Sequence, residues 1–161
     1  MTEESSLTAA ESQRFTLRKS AKLRHRTLVN DLFRKGKSVY AGPLRVTFRT
    51  LSAEELAASF RTGVPDLTGP VQMMITVPKK KRRHAVDRVL MRRRIREAFR
   101  LQWHVLRRQI ADDPEVRTLS LGFVYLLSEN IPQAEVSEAM AQALAKIRKK
   151  LGAPVEGAAN V

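Results

Sequence analysis

The 161-residue chain has no cysteine. Disulfides, thiolate nucleophiles and cysteine-based zinc sites are therefore excluded, and nothing points to an oxidising compartment. Histidine is almost as scarce. His25, His84 and His104 are scattered, with no spacing that would pair one with a general base or a shared metal. No apolar run approaches the roughly 18 residues that a membrane span needs. The opening stretch MTEESSLTAAESQ has neither the basic start nor the apolar core of a signal peptide, so a cytoplasmic protein is expected. Phosphate-cradling glycine motifs are missing. The neighbouring carboxylates Glu54-Glu55 and Asp112-Asp113 read as loop or cap pairs rather than metal ligands. With no catalytic constellation in the chain, any reaction it serves must draw its chemistry from a partner.

Acidic residues are also few. Sixteen Asp and Glu face thirty Lys and Arg, a net charge of +14. The excess is concentrated: residues 79–108 are net +11 and residues 14–37 net +8, while the rest of the chain is net −5. A surface selected only for solubility interleaves its signs. Two basic blocks instead form an electrostatic footprint for a polyanion, nucleic acid before anionic membrane.

Along the chain, 1–13 and 153–161 read as disordered tails around one α+β domain, 14–152. A first helix falls within 21–35, where Leu28/Val29 and Leu32/Phe33 recur four apart and Gly36 follows the helix end. SVYAGPLRVTFRT is extended and broken by Gly42-Pro43. Leu44, Val46 and Phe48 face one side, Arg45, Thr47 and Arg49 the other. In the connection 51–69, Ser52 and Glu55 form a candidate capping box for a short helix, with a mobile loop as the alternative. VQMMITVPKK is a strand whose apolar face is Val71, Met73, Ile75 and Val77, ended by Pro78. One long helix spans 84–110. RTLSLGFVYLL is apolar on both faces and reads as a central strand. A last helix starts near 130–132, with Asn130 as a candidate cap, and stops at Gly152. The order is α-β-β-β-α-β-α, a small mixed sheet packed by a long basic helix.

That helix is sided. With Ile95 at zero and about 100° per residue, Met91, Ala98, Phe99, Gln102, Leu106 and Ile110 fall within about 60°, an apolar stripe for the sheet, and Trp103 lies near its edge. Arg96, Arg107, Arg100 and Arg93 fall at about 100–160°, away from the core. Arg92 and Arg94 flank the stripe, and Arg88 projects near it at the helix start. Like charges at these spacings repel by a few tenths of a kcal/mol per pair, a cost that phosphates would offset. Val89 and Leu90 interrupt the charge, yet the wheel puts both on the basic side. Ahead of the helix, VPKKKRRH places cations around a helix N-terminus, an arrangement suited to phosphate.

FTLRKSAKLRHRTLVNDLFRKGKSVYAGPLRV, then ITVPKK, then AVDRVLMRRRIREAFR, resembles the bacterial ribonuclease P protein family over 15–151. The resemblance rests on the helix end from Phe33 to Gly36, the pair Lys79-Lys80 closing a strand, and the helix pattern A-V-x-R-N-R-x-[KR]-R-x-x-R-E. It implies a small protein partner of a catalytic RNA that cuts the 5′ leader from precursor tRNA. The RNA would hold the catalytic magnesium, the basic helix would lie on that RNA, and a cleft between the first helix and the sheet would hold the leader. Carried over by position, Lys79, Lys80, Arg88, Arg92, Arg93 and Arg96 are RNA-binding candidates, joined by Arg100 from the wheel. Phe33 takes the cleft aromatic. Arg45, Thr47 and Arg49, with Gln72 and Thr76, either line the cleft or face solvent. The chain departs at Val89 and Leu90, where the family has Asn and Arg, and at Val29, where an aromatic is common. Expected partners are the catalytic RNA and precursor tRNA, with no membrane and no obligate protein partner. The competing reading is a structural RNA-binding protein such as a ribosomal component.

Overall fold

The computed structural model describes residues 17, 19–64 and 68–152, and the two expected tails lie outside them. After a single 3₁₀ turn at Lys19–Ala21 come α1 (Arg26–Lys35), β1 (Lys37–Ala41), β2 (Leu44–Leu51), α2 (Ala53–Ala58), β3 (Val71–Thr76), α3 (Ala85–Gln102), α4 (His104–Asp112), β4 (Thr118–Tyr125) and α5 (Gln133–Leu151). The expected order is present, with α2 as an addition. Its capping box forms as anticipated: Ser52 Oγ accepts from the Glu55 amide, and the Glu55 carboxylate accepts from the Ser52 amide.

The sheet runs β1-β2-β4-β3. β1 and β2 form a hairpin, β2 pairs antiparallel with β4, and β3 pairs parallel with β4. A parallel pair cannot be closed by a tight turn, so α3 and α4 form the crossover between β3 and β4. β4 is central, as its two apolar faces suggested.

One face of the sheet carries the main core. Val46, Phe48, Val71, Met73, Leu121 and Phe123 meet Met91, Ile95 and Phe99 of α3 and Met140, Leu144 and Ile147 of α5. Each such side chain, fully buried, contributes about 1.5–3 kcal/mol. The predicted stripe of α3 is therefore the buried one. α3 and α5 run side by side in the same direction, tied by two glutamines, and a third ties α4 to the end of α5. Gln133 donates to the Arg94 carbonyl (2.9 Å), Gln102 to that of Ser137 (3.0 Å) and Gln109 to that of Arg148 (3.2 Å). The opposite face holds a smaller cluster, Leu23, Leu28, Leu32, Leu51 and Leu56, beneath α1 and α2.

Two expectations need correction. The single long helix is two helices, interrupted for one residue at Trp103, whose backbone stays helical (φ −77°, ψ −14°). The indole is buried there against Phe99, with ring centroids 5.6 Å apart, so the interruption coincides with the bulkiest side chain on the stripe. Asn130 does not cap α5, which begins at Gln133 after Pro132. Its side chain donates instead to Asp87 (3.1 Å). Gly36 follows the end of α1 as expected, in an extended rather than left-handed conformation (φ −73°, ψ 161°). Glycine is required by crowding: a Cβ there would sit 2.3 Å from the Leu32 carbonyl oxygen.

Candidate RNA-binding surfaces

The first surface is the outer side of α3. Arg93 and Arg96 are exposed, and no acid forms an ion pair with either among the described residues. Arg92 is half-buried. Arg100 is held by Glu97, its Nε donating to the carboxylate at 2.9 Å. This hydrogen bond from Arg100 holds the Glu97 carboxyl below its usual range and raises the guanidinium. Beyond α3, the Arg107 guanidinium lies 5.4 Å from the centre of the Trp103 ring, within cation–π range. Val86 and Val89 are 78% and 40% exposed, and Leu90 is half-buried. The stripe Val86-Val89-Arg93-Arg96-Arg100 thus runs along one helix face, apolar at its start and cationic after it.

The loop before α3 is fixed from inside. Lys79, Lys80 and Lys81 are exposed on a turn closed by the Lys81 and Arg82 amides donating to the Pro78 carbonyl, each at 3.0 Å. Arg88 turns back onto this loop: its Nη1 donates to the carbonyls of Arg82 (2.9 Å) and Arg83 (2.7 Å). Arg82 pairs with Asp87 (3.1 Å) and donates to the Ser128 carbonyl. Of the cations carried over by position, Arg88 alone is engaged in this way. Its place near the apolar stripe on the wheel was the signal.

The second surface is the sheet face beside α1, where strand register lays the side chains in rows. Arg49, Ser120 and Gln72 are successive cross-strand partners, as are Ser38, Thr47, Gly122 and Met74, and then Tyr40, Arg45, Val124 and Thr76. α1 lies over the first two rows. Leu32 and Phe33 rest on Gly122, where an added Cβ would stand 2.8 Å from the Phe33 ring. Thr47 is 1% exposed and shares a hydrogen bond with Ser38 (3.1 Å). Arg49 is drawn under the helix by Asp31 (3.8 Å) and Glu55 (3.5 Å). Phe33, Arg45, Thr47 and Arg49 share this face with Gln72 and Thr76, but Thr47 and Gln72 are buried and Arg49 is already neutralised. Phe33 remains 40% exposed. The open row holds Tyr40, which the sequence reading left unassigned and which is 58% exposed, and Arg45, whose buried Nε has no hydrogen-bond partner. Strand alternation counted back across the Gly42-Pro43 turn would have put Tyr40 beside Arg45.

Among the described residues, no three His, Asp or Glu side chains are grouped to hold a metal ion, and no helix is long and apolar enough to cross a membrane.

Comparison with known proteins places the chain in a family. The Ribonuclease P family profile matches residues 17–151. Two proteins from different strains of Porphyromonas gingivalis, each named Ribonuclease P protein component, are 32% identical over 134 residues, covering 83% of this chain and 87% of theirs. The crystal structure of the Staphylococcus aureus RNase P protein superposes with a TM-score of 0.53 at 17% identity. It covers 80% of this chain and 95% of that one, and shows a shared fold. A basic α3, a fold shared with a solved RNase P protein and a profile match over nearly the whole described chain lead to one assignment: the chain belongs to the ribonuclease P protein family, the protein component of an endoribonuclease ribonucleoprotein.

Proposed function

We propose that this protein binds the catalytic RNA of ribonuclease P through α3 and its preceding loop, and the 5′ leader of precursor tRNA in the cleft beside α1. The observation that carries the reading is the unneutralised cationic face of Arg93 and Arg96, next to Lys79 and Lys80 on a loop held in place by Arg88. Phosphates supply the counter-charge that the protein lacks there.

In the cleft, the Phe33 ring and Tyr40 offer flat surfaces for unpaired bases, and Arg45 offers a cation between strands. Base-tolerant stacking suits a leader that differs from one precursor to the next. Magnesium belongs to the RNA partner in this reading, and the protein's part is to position substrate and screen phosphate repulsion. The site of action is the cytoplasm, and no obligate protein partner is required.

The test is reconstitution. Purified protein mixed with its cognate RNA should lower the magnesium concentration needed for precursor-tRNA cleavage. Absence of any effect across a magnesium titration would remove the reading. Co-sedimentation with ribosomal subunits, and not with one small RNA, would favour a ribosomal component instead.

A further inference from the structure

The cationic surface does not end at α3. At the other edge of the sheet, β1 has no further strand partner among the described residues, and a depression of about 600 Å³ lies along it, lined by Ser38, Val39, Tyr40, Lys146, Lys149 and Lys150. No acid lines it. Lys146 reaches across from α5 and donates to the Tyr40 carbonyl, so that carbonyl points outward from the sheet. Antiparallel pairing alternates every two residues, so the backbone groups of Ser38 also point outward. The edge therefore combines outward backbone groups with three ammonium groups. A second depression, about 650 Å³, shares Lys150 and brings in Lys35, Lys37 and the cleft residue Arg49, with Asp113 and Glu115 on its wall.

Lysines at a helix C-terminus complement the helix dipole, and lysines at a strand edge discourage unwanted pairing. Neither role accounts for their convergence with an exposed tyrosine that also belongs to the open row of the cleft. Tyr40 pairs with Arg45 across the hairpin, so its residue is common to the cleft and to the edge depression. A strand of RNA lying over Arg45 and Tyr40 has a continuous cationic route over the β1 edge.

We propose that the upstream part of the precursor-tRNA leader leaves the cleft over the β1 edge and continues onto the last turns of α5, where Lys146, Lys149 and Lys150 bind its phosphates. This rests on the cleft reading above and extends it to a second, leader-length-dependent site. The occupant is single-stranded RNA. Its phosphates match the lysines, and an unpaired backbone can bend over an edge that a duplex cannot follow.

The experiment compares two precursor tRNAs, one with a leader of about five nucleotides and one of about fifteen, bound to the reconstituted holoenzyme. The variant is Lys149→Gln with Lys150→Gln, both exposed side chains outside the core. For the long leader, affinity should fall about tenfold and the salt slope by about 1.4 units, since each single-strand phosphate contact contributes about 0.7. Binding and cleavage of the short-leader substrate should be unchanged. Equal losses on both substrates would place the lysines on the catalytic RNA or on the tRNA body and overturn the proposal. No loss on either would overturn it as well. Failure of the unaltered protein to support cleavage of even the short-leader substrate would remove the parent reading, and this one with it.

Discussion

Phe33 rests on Gly122: the aromatic ring of α1 occupies the place where any other residue of β4 would carry its Cβ, at 2.8 Å from the ring's terminal carbon. The relationship ties the first helix to the central strand and sets the wall of the cleft. Gly122→Ala must push Phe33 outward or tilt α1, and Leu32 is also only 3.2 Å from the new carbon. Overpacking of this kind costs about 1–3 kcal/mol. Chemical denaturation should show that loss, and leader binding should weaken with it while affinity for the catalytic RNA is retained. Unchanged stability would mean that the ring moves aside freely and is not a fixed wall.

Arg93 and Arg96 should behave as phosphate contacts. Each single change to Ala is expected to weaken RNA binding and to reduce the slope of log affinity against log salt by about one unit. A titration between 50 and 200 mM salt, of about the range over which such slopes are resolved, reads this directly. An unchanged slope would place the interface on another face of α3.

Arg100 differs because Glu97 already holds it. Glu97→Gln should free the guanidinium for RNA, increasing affinity and steepening the salt slope by up to about one unit. The pH dependence follows the same direction. The Glu97 carboxyl is held below its usual range by the hydrogen bond from Arg100. The pairing is therefore complete at neutral pH and is lost only as pH falls through that lowered value. Between pH 6 and 8, taken as roughly the physiological window, the slope of the unaltered protein should not change on account of this pair. A steepening within that window would contradict the pairing.

Arg88 is predicted to position and not to touch. Its guanidinium is spent on the carbonyls of Arg82 and Arg83, so Arg88→Ala should loosen the loop that carries Lys79 and Lys80. Affinity is expected to fall about threefold to tenfold with the loss of about 1 kcal/mol of loop order, while the salt slope stays the same. Amide hydrogen exchange over 79–84 should accelerate. A slope reduced by a full unit, with exchange unchanged, would make Arg88 a direct phosphate ligand instead.

The face of α3 was legible because a 100° repeat fixes which residues share a side, whatever the rest of the chain does. Met91, Ile95 and Phe99 are buried, and Arg93 and Arg96 exposed, as that repeat requires. The interruption at Trp103 was not legible, since a wheel assumes an unbroken helix and carries no information about where it is interrupted. Nor was the burial of Thr47 and the neutralisation of Arg49. Both depend on α1 crossing two rows of the sheet, a contact between segments far apart in sequence. Arg45 and Arg49 are equivalent by alternation, and only the position of Asp31 and Glu55 separates them. Asn130 was misjudged for a similar reason: its partner, Asp87, is 43 residues away.

Val89 is an apolar residue on a cationic face, 40% exposed and one helical turn from Arg93. The wheel placed it there, and the structure keeps it out of the core, so packing within the protein does not explain it. In the proposed interface, where Arg93 and Arg96 contact phosphate, its surface would meet the sugar or base edge between those phosphates. Val89→Asn removes apolar area without altering charge. The expected result is an affinity loss of about threefold to tenfold with no change in salt slope, because an apolar contact releases no counterions. Leu90→Arg, on the same side of the helix, should act in the opposite way by adding a cation and steepening the slope. If Val89→Asn leaves affinity unchanged while Arg93→Ala lowers it, the RNA passes over the third turn of α3 and misses the second.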